Sequence, residues 1–583
     1  MKLNRWDAAA LTGLALLAII VLAASWARWL DPILDSGRDL YIPEKLVGGK
    51  VLYRDFQYYY PPVAPYLLAL GTLIVGSDLA GYTFIGIAIG ITAMLALYFL
   101  VRGLAGTIAA TVACAMFVTL SLTAATNWGS NFIFPYAHAA TVGMMFLLLY
   151  LAFMARFLFR TQTEVERRPP SAADLSREAG ARGRAPLHSS RDWWIAIACG
   201  ILAAGSKLEF ATLFAVSLVY VIAIHRPPRK LVLGGFAAIA GSLTIACVAF
   251  SGSGWLWDNI LLLTRQQRSI AFYANVQGTN HLASNVLRSL LGAAVILAFV
   301  LLLNVATAAL SGRGAAEGSG THKVKFVILV IALAALSFYG GDDKFFRAWS
   351  ILQLALIPFA LRQLRSPLPF LLIASLLMST RIFLNLTPDW YGFSLIIPLY
   401  ALIVYVLFEL LPSRGVYSKR VALAWLPLLA ILMIRTQIQQ RYIWSHCVYP
   451  VETSRGTYFD WSKDRAEIVQ DFVRGAGSAR GLVVIPESPT LNYFTRVDNP
   501  LSYQMFTPFI SDMDWLERDM IAEFDAKKPE YLAFVSRPVG EFGYRGFGID
   551  YNRALAAYIK SHYRVARVWQ RPRFSLVLMK RAV

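Results

Sequence analysis

Val63-Ala64-Pro65-Tyr66-Leu67-Leu68-Ala69-Leu70-Gly71-Thr72-Leu73-Ile74-Val75-Gly76 decides how this chain is threaded. The stretch is apolar, but it is short, follows Pro61-Pro62 and carries a further proline at Pro65. A helix needs about 20 apolar residues to cross a bilayer. A shorter run opened by prolines reads as an interfacial or re-entrant helix, which leaves on the side it entered. Counting it as a crossing would invert every segment after it.

Outward from this stretch lie 13 further apolar runs, at 8–30, 79–101, 104–123, 136–155, 193–204, 210–224, 231–250, 285–309, 326–339, 346–361, 368–384, 392–412 and 421–434. The chain has 583 residues, 57% of them apolar and only 15% charged. An ordinary soluble domain carries about 25% charged residues. A soluble globular protein and a disordered one are both excluded. The expected architecture is an α-helical polytopic membrane protein of about 13 spans.

Charge sets the sidedness. With the N-terminus cytoplasmic and 63–76 not crossing, the segments 1–7, 102–103, 156–192, 225–230, 310–325, 362–367 and 413–420 face the cytoplasm and hold 22 Lys and Arg. The opposite loops hold 8. This is the positive-inside bias. Much of the net charge of +20 therefore reads as topology, not as a nucleic-acid patch. Residues 193–224 are interrupted by Lys207 and Glu209 and flanked on both sides by basic segments. They read as two short helices meeting at Gly205-Ser206-Lys207-Leu208-Glu209 near the outer face.

The composition changes after about 435. Residues 435–583 are charged throughout, with short apolar strands at 482–485, 531–535, 565–569 and 575–579 and amphipathic stretches near 511–526 and 551–562. The division expected is a multi-span domain at 1–434, with a first outer loop at 31–78, and a small extracytoplasmic α/β domain at 435–583. No Walker or GxGxxG motif is present, so a nucleotide site is not indicated. The four cysteines, Cys114, Cys199, Cys247 and Cys447, have no metal, redox or disulfide spacing. No cluster has metal-ligand spacing; a divalent ion on Asp35 and Asp39 is the weak alternative to having no metal at all.

The first outer loop concentrates the chemistry. It runs Asp31-Pro-Ile-Leu-Asp35-Ser-Gly-Arg38-Asp39, then Gly48-Gly49, Tyr53-Arg54-Asp55-Phe56 and Tyr58-Tyr59-Tyr60-Pro61-Pro62. In this order the features resemble the first loop of the GT-C glycosyltransferases, in particular the bacterial protein O-mannosyltransferase and aminoarabinose-transferase group. Gly205-Ser206-Lys207 is similar to that family's Gly/Thr-Lys at a hairpin tip. Val483–Glu487, Leu491–Phe494 and Asn499-Pro500 are similar to the soluble domain of some members.

The resemblance implies an enzyme in the inner membrane that moves a sugar from a polyprenyl-phosphate carrier to an acceptor hydroxyl on an envelope glycan, lipid or protein. It implies membrane lipid as a partner and no nucleic acid. By its match to the family's first-loop aspartate, Asp35 is the expected base, with Asp39 as the alternative. The structural readings of Asp35 are a helix cap or a pair with Arg38. Where members often carry an acid in the next outer loop, this chain has none at 124–135. Asn127, Asn131 or His138 would substitute there, or would serve packing alone.

Such a displacement also needs cations for the departing phosphate. Lys207 is the leading candidate, because a lysine in a short hairpin at the boundary is costly unless used. Its structural reading is a pair with Glu209. Arg265, Arg268, Lys344, Arg347 and Arg381 are further candidates. Arg38, Arg54, Asp55, Tyr58, Tyr59, Tyr60 and Glu209 complete the expected sugar and acceptor contacts. The alternative to an enzyme is a transporter or flippase of lipid-linked saccharides, for which an internal repeat would be expected and none is evident.

Overall fold

The computed structural model describes residues 3–33, 36–125, 131–165, 188–250, 270–311, 342–390, 392–476 and 480–582. Among them, eight helices are long and apolar enough to cross a membrane, and three apolar helices are shorter. The expected run at 326–339 lies outside the described residues.

Helix α1 (Arg5–Ser25) starts with a reciprocal cap between Asn4 and Asp7. Asp7 is buried and also receives Arg102, the Tyr98 hydroxyl at 3.0 Å and the Thr107 hydroxyl at 2.9 Å. These contacts pin the start of α1 to a reversal in the chain. Helix α2 (Ser36–Val47) lies in the first loop and α3 (Val63–Val75) follows it. Helix α4 (Leu79–Phe117) is two arms joined at Gly106, whose φ of 86° suits a residue without a side chain. The arms lie side by side: the Cys114 thiol reaches the Met94 carbonyl at 3.3 Å. The two expected spans at 79–101 and 104–123 are thus one hairpin with its turn at the Asp7 end.

The short α3 is tied at both ends. Its first residue donates from the Val63 amide to the Gly205 carbonyl at 2.8 Å. Past its end, the Ser77 carbonyl accepts from the Tyr493 hydroxyl at 2.7 Å. A 13-residue helix is about 20 Å long, short of the roughly 30 Å hydrocarbon layer.

Helix α5 (His138–Val165) packs against α6 (His188–Ala204), and α6 turns at Gly205 into α7 (Leu208–Tyr220). Glycines allow the close approach: a Cβ at Gly143 would lie 2.2 Å from the Phe210 ring. There follow α8 (Arg229–Ala249), α9 (Ile270–Gln277), α10 (Leu282–Ser311), α11 (Asp342–Leu361), α12 (Pro367–Ser379), α13 (Ile397–Tyr405) and α14 (Trp425–His446). Helix α14 carries the membrane domain on to His446, beyond the boundary expected at 434. Hydropathy falls after Ile434 because the helix turns polar groups inward. Gln437, for example, bonds both the Thr119 carbonyl and Gln440.

The C-terminal domain opens with a hairpin, β1 (Tyr449–Thr453) and β2 (Gly456–Asp460). Its main sheet has β3 (Leu482–Ile485), β4 (Tyr531–Val535), β5 (Tyr563–Arg571) and β6 (Phe574–Arg581) in the order β3-β4-β6-β5. Only the β3–β4 pair is parallel. Helices α15 (Lys463–Ala476), α16 (Thr490–Thr495), α17 (Asp514–Lys527) and α18 (Arg553–His562) complete the α/β domain. Its own core joins Val483, Ile485, Phe506, Met520, Phe524, Leu532 and Leu555.

The domain is fastened to the first outer loop. Arg465 bonds Asp31 at 3.0 Å while holding Asp460 at 2.7 Å. Arg455 pairs with Glu44 at 2.7 Å. The Gln57 amide donates to the Ser502 carbonyl at 3.0 Å.

Candidate active site

The site forms where four separate stretches meet: α2 of the first loop, the segment entering α5, the α6–α7 turn, and Arg381 just after α12. Asp39, on α2, is buried beside Arg38, whose Nε lies 3.2 Å from its carboxylate. The other carboxylate oxygen accepts the His138 backbone amide at the start of α5, with the His138 Nδ1 at 3.4 Å. A carboxylate at a helix N-terminus satisfies an amide that has no partner within the helix. Burial alone would raise the Asp39 carboxyl; the charge of Arg38 and the bonds from His138 outweigh it and hold the group below its ordinary range. Asp39 thus stands as an ionised link between the first loop and α5.

Tyr136 joins this pair to the cations. Its backbone carbonyl accepts Arg38 at 3.5 Å. Its hydroxyl receives Lys207 Nζ at 3.0 Å and an Arg381 guanidinium nitrogen at 2.8 Å. Burial would raise this phenol, but Arg381 and Lys207 outweigh it and lower it. Both cations also face Glu209, Lys207 at 2.8 Å and Arg381 at 3.7 Å. Among the described residues, two cations here share one carboxylate, an excess of one positive charge at the tip of the α6–α7 hairpin. Tyr60 closes the cluster from the first loop. Its ring has the Arg38 guanidinium 4.9 Å from its centroid and the Lys207 ammonium at 5.7 Å. Positive charge over an aromatic face is stabilised by the ring quadrupole.

Five of the expected residues therefore converge on Tyr136: Arg38, Tyr60, Lys207, Glu209 and Arg381. Asp39 and His138 adjoin them. Asp35, Asn127, Arg265 and Arg268 lie outside the described residues. Tyr58 is buried beneath Arg38, 5.9 Å from its guanidinium. Tyr59 turns instead toward Met505 and Ile510 of the C-terminal domain.

Four expected contacts are engaged elsewhere. Arg54 and Asp55 pair with each other at 2.9 Å on the outside of the loop, where Asp55 also accepts the Val51 amide. Asn131 accepts the amides of Ile133 and Phe134 at 2.9 and 2.7 Å, shaping the turn that leads to Tyr136. Arg347 is buried and bonds the Leu384 carbonyl at 2.6 Å and Asn385 at 2.9 Å, which ties α11 to the segment after α12. Lys344 is exposed at the start of that helix. Among the described residues, no group of three or more His, Cys, Asp or Glu is placed to hold a metal ion.

Sequence reasoning did not single out Tyr136. A tyrosine in Phe134-Pro135-Tyr136 carries no signal of its own; its role appears only when α5, α6 and α12 are packed together.

Comparison with known proteins bears on one part of the chain directly. Residues 60–164 match the family model described as dolichyl-phosphate-mannose-protein mannosyltransferase. Through this segment the chain resembles a family of glycosyltransferases. The match starts at Tyr60 and takes in Asn131, Tyr136 and His138; Asp35, Asp39, Lys207 and Arg381 lie outside it. No curated protein matches the chain. Similar solved structures include the archaeal oligosaccharyltransferase AglB from Archaeoglobus fulgidus, in complex with an inhibitory peptide and a dolichol-phosphate. It is 14% identical, with TM-score 0.49 over 95% of this chain and 72% of its own. ArnT from Cupriavidus metallidurans, bound to undecaprenyl phosphate, is 13% identical, with TM-score 0.43 over 97% of this chain and 98% of its own.

Proposed function

We propose that the chain is a membrane glycosyltransferase that moves a sugar from a polyprenyl-phosphate donor to an acceptor hydroxyl at the outer face of the inner membrane. The observation that carries this reading is the convergence of Lys207 and Arg381 on the Tyr136 hydroxyl, with Glu209 facing both. The match of residues 60–164 to a mannosyltransferase family supports it.

In this reading the donor phosphate docks where the Tyr136 hydroxyl now receives both cations. The acceptor oxygen bonds to the anomeric carbon, and the bond from that carbon to the phosphate oxygen breaks. The electron pair stays on the phosphate, where Lys207 and Arg381 stabilise the added charge. The hydroxyl proton passes to a carboxylate, assigned to Asp35. Asp39 is already committed to Arg38 and to the α5 amide, which favours a positioning part for it over proton transfer. The acceptor is an envelope glycan, lipid or protein hydroxyl, and the C-terminal domain lies on the same outer face.

The test is release of polyprenyl phosphate by the purified protein in lipid. A panel of synthetic polyprenyl-phosphate sugars is supplied, with envelope extract as acceptor. Release is expected with one donor and is expected to be lost in Asp35→Asn while that donor still binds. Release that survives the substitution moves the base away from Asp35. No release with any donor removes the enzyme reading in favour of transport of a lipid-linked saccharide.

A further inference from the structure

Charge in the C-terminal domain is sorted along the chain. Residues 449–550 hold 11 Lys and Arg against 16 Asp and Glu, whereas residues 551–583 hold 8 Lys and Arg and no Asp or Glu. The basic segment folds into α18, β5 and β6. Strand β5 is an edge of the main sheet, paired with β6 alone. Of its nine residues only Tyr563 and Trp569 are buried.

The register gathers the cations on one face. Leu576, Leu578 and Lys580 of β6 alternate onto the same side, so their partners Trp569, Arg567 and Arg564 share it. This side packs on α15, where the Trp569 and Phe472 ring centroids are 5.8 Å apart. Arg564 stands directly opposite Lys580. Like charges in that position are destabilising. Lys580 has Glu530 at 3.7 Å, but Arg564 donates to the backbone carbonyls of Lys560, Ser561 and Tyr563. The Arg567 guanidinium lies 4.4 Å from the Trp569 ring centroid. Among the described residues, neither Arg564 nor Arg567 has a carboxylate partner, and the buried Trp569 indole N–H has no hydrogen-bond partner.

Arginines on an edge strand have a plain structural use, which is to block pairing with another chain. That use requires neither an opposed pair of cations nor a whole segment without acids. We propose that the β5–β6 face carrying Arg564, Arg567 and Trp569 is a docking surface for an anionic glycan, a polymer bearing carboxylate or phosphate groups. A guanidinium stacked on an indole keeps its in-plane N–H groups free for an oxyanion. An acidic polypeptide adding to the edge is disfavoured by the register shift between Val565 and Arg567, which interrupts the ladder. A planar lipid surface fits less well. The 571–574 turn is the end tied toward the membrane domain, with the Arg573 amide 3.4 Å from Asp464 and the neighbouring Arg465 paired with Asp31. Arg564 lies about 20 Å from Arg571 along the strand. An extended polymer follows that length, whereas a flat surface at the turn meets one end of it. That the glycan belongs to the cell envelope rests on the proposed function; the anionic class rests on the charges alone.

Binding is measured with the full-length protein in nanodiscs of zwitterionic lipid and without donor, so the outcome does not depend on the enzyme reading. The probes are polygalacturonate, neutral dextran of similar length, polyglutamate and phosphatidylglycerol vesicles. Polygalacturonate is expected to bind and dextran is not. The double variant Arg564→Gln, Arg567→Gln should weaken polygalacturonate binding about 3- to 30-fold at low salt, with a smaller difference at high salt. The double variant Arg545→Gln, Arg553→Gln removes the same charge elsewhere, since α18 packs with Tyr563 on the opposite face of the sheet. It should stay within about twofold of wild type.

Equal weakening in the two double variants overturns the proposal, because binding then follows net charge. Absence of polygalacturonate binding overturns it as well. Polyglutamate or the vesicles binding at least as tightly as polygalacturonate, with the same loss in Arg564→Gln, Arg567→Gln, overturns the glycan assignment in favour of an acidic polypeptide or a lipid surface. Each of these results leaves the glycosyltransferase reading to its own test, the release of polyprenyl phosphate.

Discussion

Replacing Lys207 by methionine tests the two-cation, one-carboxylate arrangement. Methionine keeps the length of the side chain and removes its charge. Those three side chains, Lys207, Arg381 and Glu209, then go from one net positive charge to none, and of the two described cations Glu209 keeps Arg381, at 3.7 Å. A hydrogen bond to a charged group contributes about 1.5–3 kcal/mol. At 1.36 kcal/mol per tenfold, kcat/KM for the donor should fall about 10- to 150-fold. The second substitution is the sharper one. Glu209→Gln in the Lys207→Met background restores the single positive charge on Arg381 and should recover part of the loss. Thermal unfolding is followed in parallel, because an uncompensated carboxylate also destabilises the fold. If the double variant is no more active per folded molecule than Lys207→Met alone, charge sharing through Glu209 is refuted.

Three further outcomes follow from the same contacts. Asp39→Asn removes the charged acceptor that Arg38 and the α5 amide both face and should destabilise the protein by about 1.5–3 kcal/mol, read as a lower Tm in detergent. Because the folded Asp39 carboxyl titrates below its unfolded value, its contribution is complete above that unfolded value and is lost as pH falls through the folded one. Wild type should therefore lose Tm in the acid range, below about pH 4, through a step that Asp39→Asn lacks. Arg465→Met strands the buried Asp460 together with Asp31 and should cost about 3–5 kcal/mol, measured as the loss of a joint unfolding transition of the two domains. A cysteine placed at Arg177 should react with an impermeant thiol reagent only from the cytoplasmic side, and one at Arg545 only from the outer side. Native Cys114, Cys199 and Cys447 are buried and give little background.

Most of the membrane architecture was legible because lipid imposes length and charge rules on the chain. The 63–76 stretch reads as a short helix from its prolines and its length, and the fold has a 13-residue helix there, tied to Gly205 at its start and to Tyr493 past its end. The end of the last long apolar helix was less legible: hydropathy drops after Ile434, but the helix buries Gln440, bonds Gln437 to the Thr119 carbonyl and continues to His446. The same limit governs the site. Lys207 stood out because a charge at that depth needs a reason, and Arg381 stood out for the same reason. Arg347 carried an identical signal, yet its reason is a web of backbone and asparagine oxygens between helices. A buried arginine announces that something accepts its hydrogen bonds; it does not say whether the acceptor is a ligand or the protein. Tyr136 announced nothing, since a neutral hydroxyl is compatible with any environment. Its part arises only from what the fold sets beside it, two cations. The charged half of a site of this kind is therefore readable from sequence, and the neutral half that aims it becomes readable only once the chain is folded.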